Sequence, residues 1–378
     1  MRKKLAIIGA NVGQKPLVLK AKEMGIETHC FAWNKGNDII CSKLADYFHP
    51  ISTNDKEQIL EVCQQLQIDG IISISNDSYV PTVCYVAGKM GLTGNGYEDS
   101  LISTNKLRQR EAFLKNGVNS PRFVVAGEKS DYSLLTYPLI VKPTDRGGST
   151  GVMKVEKEED LKVAVEHAKK WSFTGEVIVE EYVSGAEATV DMISWKGTHY
   201  EIVVTDTETL GGPYFMKTGY HQPTRFCDDI RDKIIAEAKK AITALNIKYG
   251  ASDIEVKVTE EGVVKIVEVN PRMGGDCTDT LLRLSTGYDY LKAVINVALN
   301  QFEKPVFSLN KYSGICFLSK ETEHLKKIIE NRKDDPDIVT AEIYNDELRY
   351  LQTVDERSGY FIYQSNQRRN WERINQLK

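Results

Sequence analysis

Glu255 and Glu268 lie in two strand-like stretches, "ASDIEVKV" (251–258) and "GVVKIVEVN" (262–270), and carry the strongest chemical signal in the chain. If the stretches form a hairpin over a two-residue turn at Glu261-Gly262, Glu255 falls opposite Glu268 and Asp253 opposite Asn270. A four-residue loop shifts the register but keeps these side chains on one face, because the period is two; a three-residue loop breaks the relationship. Glu268, Asn270 and Arg272 share a face along the second strand. Two carboxylates about 5 Å apart repel by roughly 3 kcal/mol at an effective dielectric near 20, so a sheet has no structural use for them. A bound cation reverses that sign, and two glutamates with an asparagine are hard oxygen donors suited to Mg2+. The competing reading is a solvated charged face neutralised by Lys257 or Lys265. The following "PRMGGD" favours the metal, since an arginine and a flexible glycine pair suit an anionic substrate.

Two further constellations point to phosphate chemistry. In "KPTDRGGSTG", from Lys142 to Gly151, Gly147, Gly148 and Gly151 with Ser149 and Thr150 let the backbone turn its N–H groups toward an anion, while Lys142 supplies charge from the preceding strand. The lysine precedes the glycines, so this is no Walker A loop; the plain alternative is a glycine-rich hairpin. In "EEYVSGAE", an apolar strand ends in Glu180 and Glu181, and a short linker leads to Glu187. Such a segment can hold a base edge by its backbone and a sugar by one carboxylate, or be a charged strand end.

These residues need a scaffold, and the chain supplies alternating signals for one. "LAIIGA", "ETHCFAW" and "DGIISIS" read as strands, with a helix over 55–67 whose Ile59, Leu60, Cys63 and Leu66 share a face. This pattern predicts a parallel sheet with ligands beyond the strand ends, at Gly9–Gly13 and Asn76–Ser78. A dinucleotide site is disfavoured: the turn reads "GANVG", and Trp33-Asn34 stand where a ribose-binding acid is needed. Ser103, Thr104 or Asn105 caps a helix that stops at Gly117, and 228–246 is a periodic helix with Ile230, Ile234, Ala238, Ala241 and Leu245 inward. After Pro305 a strand-rich unit of about seventy residues begins.

The order "NK", "IVKP", "GGSTGV", "EEYVSG", "EVNPRMGG" resembles the ATP-grasp superfamily over nearly the whole chain, in particular its carboxylate-amine ligases such as the L-amino acid ligases. The resemblance implies mixed α/β and α+β architecture: a Rossmann-like pre-ATP-grasp parallel-sheet domain (1–102), a two-lobed ATP-grasp domain (103–182 and 183–305), and a small α+β cap (306–378). It implies that Lys106, Lys142 and the Gly147–Gly151 loop contact ATP phosphates, that Glu180, Glu181 and the Val183 backbone lie at the adenine, and that Glu187 binds ribose. Glu255, Glu268 and Asn270 would carry Mg2+, with Arg272 and the Gly274-Gly275 loop on the acyl phosphate and its carboxylate. The expected reaction joins a small carboxylic acid, of the amino acid class, to an amine. A bicarbonate-activating enzyme and a non-catalytic nucleotide-binding protein are the alternatives. The stretch "FMKTGYHQP" departs from many amino acid ligases by placing Lys217 where an acid often stands; His221 is the residue there expected to touch substrate. The "DERSGYFI" stretch of the last unit fits the family loosely and receives no catalytic residue.

Composition bounds the partners. Lys and Arg number 49 against 53 Asp and Glu, without the basic excess that nucleic acid or an anionic membrane attracts. Apolar runs fall far short of the roughly 20 residues of a membrane span. Seven scattered cysteines without C-x-x-C pairs suit reduced thiols in a cytoplasmic protein, with Cys277, beside the glycine pair, the one to watch. A homodimer is common among members of the resembled family.

Overall fold

The computed structural model describes residues 2–33, 39–127, 129–212 and 214–371. Asn34, part of the argument against a dinucleotide site, and the last seven residues of the cap lie outside the described residues.

The first sheet is parallel, as the alternation of strand and helix signals predicts. It runs β1 (Lys4–Ile8), α1 (Lys15–Glu23), β2 (Glu27–Phe31), β3 (Tyr47–His49), α2 (Lys56–Leu66), β4 (Gly70–Ile72), α3 (Val80–Met90), with strand order β3-β2-β1-β4. The short β3 carries no apolar run and is invisible to pattern reading. On α2, Ile59 and Cys63 are fully buried and Leu60 and Leu66 pack beside them, the face the 3.6-residue period picks out.

Two helices then lead away from this sheet, α4 (Tyr97–Ser103) and α5 (Lys106–Lys115). Asn105 is the cap of α5, its side chain accepting from the Arg108 amide at 3.0 Å, and Gly117 turns the chain with φ 65°. A second, antiparallel sheet follows, from β5 (Phe123–Val125), β6 (Leu139–Pro143), β7 (Met153–Val155), α6 (Glu158–Trp171) and β8 (Val177–Glu181), in the order β5-β8-β6-β7. The α6 residues Leu161, Ala164, Val165 and Ala168 close its core.

The third sheet has eight strands in the order β13-β12-β9-β10-β11-β14-β16-β15. Its elements are β9 (Ala186–Trp195), β10 (Thr198–Thr209), β11 (Lys217–Gln222), α7 (Asp228–Ala244), β12 (Gly250–Val258), β13 (Val264–Asn270), α8 (Thr278–Thr286), α9 (Tyr290–Ala298), β14 (Tyr312–Leu318), α10 (Leu325–Glu330), β15 (Ile338–Ile343) and β16 (Gly359–Ser365). The strands after Pro305 thus extend this sheet through β11–β14 pairing. Helix α7 seals one face with Ile234, Ala238, Ala241 and Ile242. Helix α9 joins the first sheet to the third: Val294, Ile295 and Val297 share a core with Leu5, Ile7 and Ile72. Gly70 permits that approach, because a Cβ there would lie 2.6 Å from the Ala298 carbonyl oxygen.

Candidate active site

The hairpin of β12 and β13 pairs Glu255 with Glu268 and Asp253 with Asn270, the facing expected from the sequence, but over a different turn. Near the reversal Val258 faces Val264, and Thr259 N donates to Val263 O at 3.0 Å, which leaves Glu260, Glu261 and Gly262 as a three-residue loop. Gly262 takes φ 75°, the left-handed position such loops require. A bulge then leaves Val267 unpaired between Glu268 and Ile266, and this extra residue restores the register that the odd loop shifts. The two-residue turn is therefore corrected, while the carboxylate pairing stands.

Neither Lys257 nor Lys265 neutralises the pair. Lys106 Nζ lies 2.6 Å from Glu268 Oε1 and also donates to the Arg146 carbonyl at 2.8 Å, which ties the start of α5 to the glycine loop. Lys217 Nζ lies 2.6 Å from Glu255 Oε1. Burial opposes both ammonium charges, yet the facing carboxylates hold the lysine pKa values above the ordinary range. Glu255 is held below its usual range, burial being outweighed by Lys217. Lys257 is instead paired with Glu187 at 3.0 Å.

Beneath the glycine loop lies a buried triad. Glu180 is 2% exposed, and its oxygens take Arg110 Nε at 2.7 Å and Lys142 Nζ at 2.7 Å. Each oxygen is thus paired with a cation, and Glu180 is placed to aim Lys142. Lys142 is depressed from the ordinary lysine range by burial, which Glu180 counters and Arg110 and Lys106 reinforce. Arg110 stands one helical turn after Lys106 and also donates to the bulged Val267 carbonyl at 2.6 Å. That i, i+4 spacing of two cations in "KLRQR" is the signal that would have found it.

The loop itself closes by Thr150 N to Gly147 O at 3.3 Å and Val152 N to Ser149 O at 3.2 Å. Gly148, Ser149 and Gly151 take φ of 61°, 57° and 73°, and their amides have no backbone partner among the described residues. This is the arrangement of an anion-binding nest. The Val183 amide is likewise without a partner among the described residues, whereas Glu181 is ion-paired to Arg122 at the surface.

Arg272 joins the sheets. Its Nη1 is 2.7 Å from Asp253 Oδ2 and its Nε 2.9 Å from Asp77 Oδ1, at the carboxyl end of the first sheet where ligands were expected. A small cleft of about 50 Å³ opens beside it, lined by Asp191, Lys217, Tyr220, Gln222, Asp253, Glu255 and the Gly274–Asp276 loop. From the last unit Arg357 reaches this loop, with Nη1 2.7 Å from Asp276 Oδ1 and Nη2 3.2 Å from the Lys217 carbonyl. The family pattern had assigned nothing to that unit.

His221 is not in the cleft. Alternation along β11 points Tyr220 and Gln222 inward and turns His221 to the opposite face, where Nδ1 meets the Tyr363 hydroxyl at 2.9 Å and Nε2 lies 3.3 Å from Glu208. Tyr220, one residue earlier, lines the cleft.

Among the described residues no three His, Cys, Asp or Glu side chains gather as a metal cluster. Glu255 and Glu268 with Asn270 still fit Mg2+, which ordinarily takes one or two carboxylates and completes its shell with waters and phosphate oxygens.

Residues 135–280 match the family model described as ATP-grasp domain, so the chain carries an ATP-grasp domain. Curated relatives include an alanine–anticapsin ligase of Bacillus amyloliquefaciens, 24% identical over 69% of this chain and 63% of that protein, and a D-alanine–D-alanine ligase of Pseudomonas putida, 27% identical over 54% and 66%. The match thus spans less than two thirds of either relative's length. The fold is also that of an L-amino acid ligase from Bacillus licheniformis, with TM-score 0.80, 20% identity and coverage of 100% and 96%. A phosphoribosylglycinamide synthetase from Anaerococcus prevotii shares it at TM-score 0.76, 23% identity and coverage of 97% and 95%. Among the described residues no helix is long and apolar enough to cross a membrane.

Proposed function

We propose that the chain is an ATP- and Mg2+-dependent ligase that activates a small carboxylate, an amino acid, as an acyl phosphate and couples it to an amine. The observation that carries this reading is the gathering of Lys106, Lys142 and Arg272 around the facing pair Glu255 and Glu268. A carboxylate is a poor electrophile; its oxygen attacks the γ-phosphorus of ATP, the bond to the β-γ bridging oxygen breaks, and ADP leaves. The amine then adds to the acyl carbon, phosphate departs, and the amine loses a proton. Bound Mg2+ supplies charge neutralisation on the transferring phosphoryl group.

The chain's own residues do the rest. Lys106 and Lys217 now hold the two glutamates, and phosphate oxygens are the acceptors to which they transfer when a nucleotide arrives. Glu180 and Arg110 keep Lys142 in place, and the glycine loop covers the phosphates and keeps water from the acyl phosphate. Val183 offers its backbone to adenine and Glu187 its carboxylate to ribose. The names of the ligase relatives support an amino acid as the carboxylate.

The test is a phosphate-release screen of carboxylic acids crossed with amines, with ATP and Mg2+. Release that requires one carboxylate and is stoichiometric with ADP is expected. Release driven by bicarbonate alone, or none with any pair, defeats the reading.

A further inference from the structure

Asp191 is the side chain in the cleft that the proposed reaction leaves without a task. It sits on β9 directly across from Asp253 on β12, with its residue only 3% exposed. Asp253 is answered by Arg272 at 2.7 Å, but the buried Oδ1 of Asp191 has no hydrogen-bond partner among the described residues. Cross-strand like charges repel, and an uncompensated buried carboxylate is costly. The neighbours do not relieve it: Thr189 bonds Thr207 at 3.2 Å, Thr205 bonds Gln222 at 2.9 Å, and Gln222 bonds Ser285 at 2.7 Å. None of these groups is bonded to Asp191 among the described residues, and Arg272, which is paired with Asp253, favours its charge only through space.

The cleft that Asp191 lines is also lined by Gly274 and Gly275. A Cβ on Gly274 would lie 3.6 Å from Asp253 Oδ2 and 2.9 Å from Thr278 Oγ1, so the missing side chain keeps space open beside the acids. We propose that Asp191 is the subsite for a protonated primary amine, the α-ammonium of the amino acid whose carboxylate is activated. This deepens the ligase reading and rests on it. The attacking amine must be a free base, whereas a buried carboxylate keeps the amine it holds protonated and non-nucleophilic. Asp191 therefore serves the amine that does not react, and it protects the activated amino acid from acting as its own acceptor.

The test is calorimetric, with wild type and Asp191→Asn each titrated, in a non-hydrolysable ATP analogue and Mg2+, with L-amino acids and with the matching des-amino carboxylic acids. The expected result is a wild-type preference for an amino acid of at least about thirtyfold over its des-amino partner, reduced to within about threefold in Asp191→Asn. The wild-type comparison stands even if the variant folds poorly. Equal binding of the two acids, binding of neither, or a preference that survives the substitution overturns the assignment. So does a melting temperature raised by KCl or MgCl2 in wild type but not in Asp191→Asn, without any amino acid preference, since that marks a metal ion. Preserved ammonium preference without ADP release for any amine would sink the ligase reading and leave the ammonium site standing.

Discussion

Lys142 and Glu180 are diagonal neighbours on adjacent strands, with 2.7 Å between Nζ and Oε2, and Arg110 closes the other side of the carboxylate. Removing the anion leaves two cations buried together. Breaking such a pair costs about 3–5 kcal/mol, because the remaining charge loses its partner and does not regain water. Glu180→Gln is expected to lower the chemical-denaturation stability by that order at pH 7 and to weaken ATP binding at least about tenfold. The folded-state pKa of Glu180 is depressed despite burial, through Arg110 and Lys142, so its stabilisation is present above the ordinary glutamate pKa and is lost as pH falls below it. The gap between wild type and Glu180→Gln should therefore close on acidification; a gap that is constant with pH would contradict the triad.

Glu268 and Glu255 are each neutralised by one lysine, Lys106 and Lys217 respectively. Glu268→Gln is expected to fold and bind ATP without Mg2+ about as wild type, while ADP release at saturating Mg2+ falls at least about a hundredfold, the scale seen when one preorganised electrostatic group is lost. A Mg2+ titration of turnover checks this, and wild-type turnover in the variant would refute the metal assignment.

His221 and Tyr220 are neighbours in sequence and on opposite faces in the sheet. His221→Ala should cost about 1–3 kcal/mol by stranding the Tyr363 hydroxyl, with kcat near wild type. Tyr220→Phe should instead change kcat or KM with little loss of stability. A kinetic defect confined to His221→Ala in folded protein would reverse this placement.

Much of the site was legible because strand periodicity is strict. Glu268, Asn270 and Arg272 could be set on one face from spacing alone, whereas the facing of Glu255 depended on a turn that the structure replaces, and a parallel first sheet followed from its alternating apolar runs. The turn was misjudged because loop length and bulge compensate each other: Gly262 and Val267 each shift the register by one, and only their sum is visible in the pairing. His221 and Tyr220 could not be told apart in the sequence, because neighbouring positions on a strand point to opposite faces. Asp77, Asp191 and Arg357 were out of reach. They meet the site only through the docking of the first sheet, the order of β9 beside β12, and the continuation of the third sheet into β14 and β16.

Arg357 links the last unit to the cleft by its bidentate pairing with Asp276 and its guanidinium 3.5 Å from the Phe317 ring centre. A bidentate, stacked arginine is not replaced by lysine. Arg357→Lys is expected to raise KM for the carboxylate about tenfold or more through a loosened Gly274–Asp276 loop, with KM for ATP nearly unchanged. Equal losses for both substrates in steady-state kinetics would place the effect elsewhere.

The cysteines divide by environment in a way that alkylation can read. Cys227 is exposed at the start of α7, whereas burial pushes the thiols of Cys63, Cys84 and Cys277 up to about 12 and that of Cys41 to about 11. For Cys277 burial acts first, and Asp279 and Asp276 add to it. At pH 8 a thiol with a pKa of about 12 is ionised to roughly one part in ten thousand, and the thiolate is the nucleophile. Iodoacetamide on native protein should therefore label Cys227 first by peptide mass spectrometry, with Cys277 unmodified over the same period although it borders the cleft loop. Rapid native labelling of Cys277 would show that its surroundings are more open, or more positive, than the Asp276–Asp279 segment provides.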